Sequence, residues 1–422
     1  MKNASTESKS TSRKALFIIG STAQAEMFKP ILKELQGWVT IAINIDMWHK
    51  KDEIDAVLQR LSFPHKSISS TKFSAISEVL RKEKPDIIVV AHDRLPKSRL
   101  FIKCGNSMGI PTLLVQDGIL PGNRASTRET GGIVFSIKYF LFLPHRIFRF
   151  MTNPSLPWQQ KIEITLFESR LRGKAGNYGH GECQKMALFG DATKEMFISE
   201  GVNPDKIVVT GNPKFDLVYH SKDNNCKNTV CEKWNIPAHK EIVLLLTSYF
   251  VENNTWSLEQ RERFVIAISN AVEALPNAQL IIKLHPPHEN EKDYSKIIKK
   301  ISSHAIVCKH FPISMLLNAC DLAITVSSTA ALEAMAIGKP VIIANLFHDK
   351  APYFYKNSGA LFIETESEIL PALKKGLYDF HERKKIVEST DKFVYKQAYL
   401  QDGRASERIA SIIRNMVSAN GI

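Results

Sequence analysis

A chain of 422 residues is too long for one ordinary hydrophobic core and implies two domains of similar size. With 44% hydrophobic and 23% charged residues its composition is globular, which excludes a fibrous or wholly disordered protein. Lys and Arg number 56 against 43 Asp and Glu, and the net charge of +13 fits anionic ligands or surfaces; the absence of zinc-finger spacing, a basic zipper or an RNP-type aromatic motif argues against nucleic acid.

Residues 1–13 are polar and rich in Ser and Thr, without the apolar stretch of a secretory signal, so a disordered lead-in and a cytoplasmic location are expected. Ala15–Gly20 reads as a buried strand, Gly20-Ser21-Thr22 as a small-residue turn and Ala23–Leu35 as a helix. Val39–Ile45, Pro85–His92 and Pro111–Asp117 continue the alternation, which is the pattern of a doubly wound α/β domain with a parallel sheet, expected over residues 14–185. Inside an insert at 131–175, Ile133–Met151 mixes large apolar residues with Lys138, His145, Arg146 and Arg149. Its charges and Pro144 rule out a spanning helix, leaving an interfacial element on an anionic membrane face or a helical hairpin over a domain core.

A second alternation runs through Met186–Gly190, Lys206–Thr210, Ile242–Thr247, Leu280–Lys283, Ala305–Cys308, Leu322–Thr325 and Val341–Ala344, and predicts a second Rossmann-like domain over 186–395. Residues 396–422 then form a C-terminal helix, with apolar spacing over Ala405–Val417 and a path back to the first domain. The six cysteines, at 104, 183, 226, 231, 308 and 320, show no CxxC spacing and read as reduced thiols, with no metal site.

The densest chemistry lies between Lys283 and Pro340. One strand delivers His285 and Pro286 to its carboxyl end, and another delivers Ser327, Ser328 and Thr329. The helix that must follow those hydroxyls offers backbone N–H groups to an anion. A neutral-range proton carrier beside a phosphate seat predicts chemistry on a phosphate-bearing substrate. Asp117, at a strand end facing the expected cleft, is placed to take a hydroxyl proton, although it also fits a turn cap before Gly118. Gly211-Asn212-Pro213 is a turn opening the second domain, while Lys214 and Arg404 read as solvated surface residues or weak phosphate contacts. The chain contains no Asp-x-Asp pair, which favours a metal-independent mechanism.

VQDG (115–118), TGNPKFD (210–216), KLHP (283–286), VSSTAALEAMAIGKPVI (326–342) and DGRASERIA (402–410) resemble motifs of GT-B glycosyltransferases, in the bacterial group of HP/SS-motif sialyltransferases, capsule Kdo transferases and CDP-glycerol glycerophosphotransferases. The resemblance implies a GT-B fold, an α/β arrangement of two Rossmann-like domains facing across a cleft. It implies inverting transfer without a metal or other cofactor, of a sialic or related ulosonic acid from a CMP-linked donor to a glycan or lipid-linked acceptor in surface polysaccharide synthesis; the interfacial reading of the insert would place this cytoplasmic protein at the inner membrane face. On it Asp117 is the general base, although Gln116 stands where the motif's first acid belongs, and His285 supports the leaving phosphate. Ser327, Ser328, Thr329, Lys283, Pro286 and the 211–213 turn hold the donor, and Glu333 matches an acid that binds ribose hydroxyls in related GT-B folds.

UDP-N-acetylglucosamine 2-epimerases share this architecture, and GSTAQAE (20–26), TSYFVEN (247–253) and SSTAALE (327–333) are similar to three of their motifs. Two departures place that activity second. Tyr249-Phe250-Val251 stand where the pattern has His-Arg-Arg, and Ala23 and Gln24 stand where it has an arginine. A CDP-alditol phosphotransferase and a non-catalytic protein binding anionic polymer are the remaining alternatives.

Overall fold

The computed structural model describes residues 12–45, 51–68, 73–93, 96–119, 178–221, 225–285 and 289–420. The insert at 131–175, with its membrane-surface reading, and residues 1–11 of the lead-in lie outside them. No described helix is long and apolar enough to cross a membrane.

Two parallel sheets organise the chain. The first contains β1 (Lys14–Ile19), β2 (Val39–Asn44), β3 (His65–Ser67), β4 (Ile87–Val90), β5 (Thr112–Val115), β6 (Lys185–Leu188) and β7 (Ile207–Val209), in the order β3-β2-β1-β4-β5-β6-β7. The second contains β8 (Glu241–Leu246), β9 (Ala278–Lys283), β10 (Ile306–Cys308), β11 (Leu322–Thr325), β12 (Val341–Ala344) and β13 (Leu361–Ile363), in the order β10-β9-β8-β11-β12-β13. Each sheet starts at its middle, grows to one edge, then returns and grows to the other. Crevices therefore open at the carboxyl ends where the order reverses, at β1/β4 and β8/β11.

The strands follow from their composition. A parallel strand covered on both faces must be apolar throughout, and Ile87–Val90 and Ala15–Ile19 are buried along their whole length. Phe17 packs on Phe28 and Phe63 on one face of the first sheet, and Leu16, Ile18 and Phe101 fill the other. The two-domain α/β architecture is as expected, and the helix Ala405–Ala419 does return to the first domain, burying Ile409, Ala410, Ile413 and Val417 against the Phe17 face.

The predicted boundary at 185/186 is wrong. β6 pairs with β5, with Leu113 opposite Lys185, and β7 pairs with β6, with Met186 opposite Ile207. The chain therefore leaves the first sheet only after Val209. Alternation looks the same on either side of a boundary between two parallel-sheet domains, so spacing alone does not assign a strand to its sheet. The predicted C-terminal helix at 396–422 also differs, because a long helix, Phe380–Ala398, precedes Ala405–Ala419 and its end already rests on the first domain. Lys396 pairs with Glu195 at 3.0 Å there. The approach is so close that a Cβ on Gly190 would lie 2.5 Å from the Lys396 carbonyl oxygen.

Candidate active site

The first wall of the cleft is built at the end of β5. Gln116 is buried and stitches the strand ends together: its amide nitrogen donates to the Gly118 carbonyl at 2.7 Å, and its amide oxygen accepts from the Phe189 N–H at 2.9 Å. An amide serves here because both a donor and an acceptor are needed. The next residue, Asp117, accepts a 2.7 Å hydrogen bond from Gln24 Nε2. Gln24 is itself fixed, accepting from the Gly20 N–H at 2.8 Å at the start of a helix, Thr22–Glu34, that Ser21 caps. Burial raises the Asp117 carboxyl above its ordinary range, against the lowering effects of the Gln24 bond and the Lys214 charge. Nearby Asp93, also raised by burial, is spent on the backbone, accepting from Gly179 N at 2.9 Å and Gly181 N at 2.7 Å.

The connection between the sheets forms the floor. Gly211 takes φ +75°, a conformation glycine adopts without strain. Asn212 then caps the helix Pro213–His220, its side-chain oxygen accepting from Lys214 N at 2.9 Å, and donates through Nδ2 to the Gln116 carbonyl at 2.7 Å. Pro213 sits at the first helical turn, where its missing N–H costs nothing. Asp216, one turn on, accepts from Ala405 N at 3.0 Å and from Ser406 N at 2.7 Å. Arg408 donates to the Thr210 carbonyl at 2.8 Å and pairs with Asp402 at 2.8 Å. The TGNPKFD and DGRASERIA segments are thus two halves of one clasp. Arg404 is exposed and paired with Glu407.

The second wall carries the Ser cluster. Thr325 Oγ1 donates to the Leu246 carbonyl at 2.9 Å and accepts from Ser328 N at 3.1 Å, fixing the turn after β11. Ser328 Oγ accepts from Ala330 N at 3.3 Å, and the Ser328 carbonyl accepts from the Tyr355 hydroxyl at 3.0 Å. The hydroxyls of Ser327 and Thr329 have no hydrogen-bond partner among the described residues. The following helix, Ala330–Ala336, carries Glu333, whose carboxyl burial pushes up to about 7 while Lys214 opposes the shift.

His285 stands at the end of β9. Its backbone N–H donates to Glu289 Oε2 at 2.7 Å, and Glu289 also accepts from the hydroxyls of Thr247 and Tyr294. The ring lies 4.8 Å from that of Tyr249, centroid to centroid. Lys283 is buried and donates to the Lys309 carbonyl, and burial lowers its pKa; it is turned to the β9–β10 edge and away from the other candidates. Pro286 lies outside the described residues.

The structure therefore sets Asp117 of the first sheet beside the 211–213 turn, through the Asn212 bond to the Gln116 carbonyl, while Glu333 and the Ser cluster follow β11 in the second sheet and His285 follows β9, on the other side of β8. It also draws in Lys214, which the sequence offered only as a surface residue or a weak phosphate contact. Lys214 is half-buried, and its charge is felt by both Asp117 and Glu333. Its position directly after the Asn-Pro cap is the signal that could have found it.

The model of the UDP-N-acetylglucosamine 2-epimerase family matches residues 188–414, more than half of the chain. The chain belongs to this family. Solved structures resemble it over nearly its whole length: UDP-N-acetylglucosamine 2-epimerase from Neisseria meningitidis bound to UDP-N-acetylglucosamine, at 15% identity and a TM-score of 0.63 over 95% of this chain and 100% of that one; S. aureus MnaA with UDP, at 17% and 0.62 over 96% and 97%; and the Methanocaldococcus jannaschii 2-epimerase with UDP-N-acetylglucosamine and UDP, at 17% and 0.58 over 95% and 99%. No curated protein matches the chain in sequence.

The epimerase match overturns the glycosyltransferase assignment, and with it the sialyltransferase, Kdo-transferase and glycerophosphotransferase resemblance. The physical reason lies in what the shared motifs do. TGNPKFD and DGRASERIA make the clasp, and much of VSSTAALEAMAIGKPVI fills the core with Ala331, Leu332, Ala334 and Met335. They report how two Rossmann-like domains are joined and packed, and both kinds of enzyme need that. The loss of His-Arg-Arg did not exclude the epimerase family either, since the match runs through residues 249–251.

Proposed function

We propose that the protein is an epimerase-type enzyme acting on the sugar of UDP-N-acetylglucosamine or a closely related UDP-sugar. Membership of the 2-epimerase family carries this reading, and the nucleotide in the related structures is UDP, which favours UDP over CMP. Inverting C2 removes its proton on one face while the C2–H electron pair forms a C1=C2 bond and the UDP oxygen leaves C1. Return of that oxygen to C1 with a proton delivered to the other face of C2 gives the epimer, so the site needs a proton acceptor beside C2 and a seat that keeps the UDP. Asp117 is the group this reading assigns to the proton: it is a carboxyl at the end of β5, aimed by Gln24, with its pKa raised by burial. The second wall then takes the nucleotide, with Ser327, Ser328 and Thr329 at a phosphate, His285 supporting that charge and Glu333 at the ribose hydroxyls.

The departures from the epimerase pattern shape the reading. Phe250 is buried against Trp256, 4.7 Å between ring centroids, and Val251 packs beside it, so this run contributes an apolar cluster in place of charges. Incubation with UDP-N-acetylglucosamine in D2O, followed by proton NMR, tests the proposal. Deuterium should enter at C2 and the 2-epimer should form, both lost in Asp117→Asn. Absence of exchange with UDP-N-acetylglucosamine and with other UDP-N-acetylhexosamines would refute it.

A further inference from the structure

We propose that Lys214 binds the diphosphate of the nucleotide sugar, replacing cationic side chains that the epimerase pattern carries elsewhere. The inference rests on the epimerase reading and extends it to a residue that reading does not require. A nucleotide sugar has a fixed order: sugar, diphosphate, ribose, base. Asp117 marks the sugar end on the first sheet, and Glu333 marks the ribose end on the second. The diphosphate must lie between them.

Lys214 occupies that interval by construction. Asn212 hydrogen-bonds both the end of β5, through the Gln116 carbonyl, and the first turn of the helix Pro213–His220, through Lys214 N. The same helix buries Phe215 and Val218 in the core that contains Ala331, Leu332 and Met335 of the Glu333 helix. The backbone of Lys214 is therefore held between the two walls. Its ammonium makes no hydrogen bond or ion pair with another described residue, yet its charge reaches both Asp117 and Glu333.

The surrounding chemistry leaves this charge a task. Two or more negative charges on a diphosphate need cationic partners in a partly desolvated cleft. Ala23 and Gln24 replace one arginine of the epimerase pattern, Gln24 being committed to Asp117, and Tyr249, Phe250 and Val251 replace His-Arg-Arg. Arg408, the next cation along the clasp, is held through Nε by Thr210 and through Nη1 by Asp402, its Nη2 being buried without a hydrogen-bond partner among the described residues. A lysine serves as a compact point charge that follows the phosphate oxygens without needing a fork geometry.

Calorimetric titration of UDP and of uridine into the wild type, Lys214→Met and Lys214→Arg tests the assignment. The wild type should bind UDP more tightly than uridine. Lys214→Met should weaken UDP binding about 10- to 100-fold, the worth of one charge-assisted hydrogen bond, and leave uridine binding unchanged. Lys214→Arg should recover most of the UDP affinity. Unaltered UDP binding by Lys214→Met, or an equal loss of uridine binding, overturns the role of Lys214 and leaves the epimerase reading standing. Failure of the wild type to bind UDP overturns both.

Discussion

Replacing Glu333 by Gln should stabilise the unliganded protein at alkaline pH. Burial holds the Glu333 carboxyl at about 7 against an ordinary 4.5, so the folded state resists its ionisation. Above pH 4.5 the unfolded chain releases this proton while the folded chain keeps it. The folded state then binds more protons, and stability falls as pH rises towards 7. The full shift is worth about 3 kcal/mol, nearly all of it felt by pH 8, and about 1 kcal/mol is already present at pH 5. Glu333→Gln removes the titration, so its advantage over the wild type should grow by about 2.5 kcal/mol between pH 5 and pH 8. Urea unfolding of both proteins at the two pH values measures this directly. An advantage that is the same at both would show that Glu333 titrates normally and would remove the electrostatic case for its place in the site. Lys214→Met should enlarge the pH effect, because the Lys214 charge works against the shift.

Two further substitutions test how the domains are joined. Asp216→Ala leaves the N–H groups of Ala405 and Ser406 without their buried acceptor and should cost about 2–4 kcal/mol in urea unfolding, with UDP binding weakened because Lys214 shares the helix. A cost under about 0.5 kcal/mol would show that the clasp is dispensable. Ile413→Ala opens a cavity against the Phe17 face and should cost about 2–5 kcal/mol, measured the same way; a smaller loss would mean that the returning helix packs loosely.

Much of the architecture was legible because parallel strands buried on both faces are written as unbroken apolar runs such as Ile87–Val90. The returning helix was legible from the spacing of Ile409, Ile413 and Val417. The assignment of β6 and β7 was not, since pairing partners in a parallel sheet are non-local and Met186 reads the same beside Leu114 as it would in the second sheet. The candidate site was half legible. Asp117, His285 and Ser327–Thr329 announce themselves as polar residues ending apolar strands. Lys214 does not, because its place depends on two hydrogen bonds of the preceding Asn212, one to a residue almost a hundred positions away. The choice between transferase and epimerase was obscured for a related reason: the motifs that dominate the sequence serve joinery and packing, which the two chemistries share.

The clasp around Asp216 and Arg408 has a mechanical consequence. The polypeptide passes between the two sheets twice, at 210–213 and again at 396–405, and hydrogen bonds from Ala405 and Ser406 to Asp216 and from Arg408 to Thr210 tie the passages side by side. A single tether would let one domain swivel and slide over the other. Two tethers pinned together leave one easy rotation, about the line that joins them. Lys214 directly follows the first of these passages, where such a rotation moves atoms least. A rotation about that line would change the spacing of the two walls while moving Lys214 little.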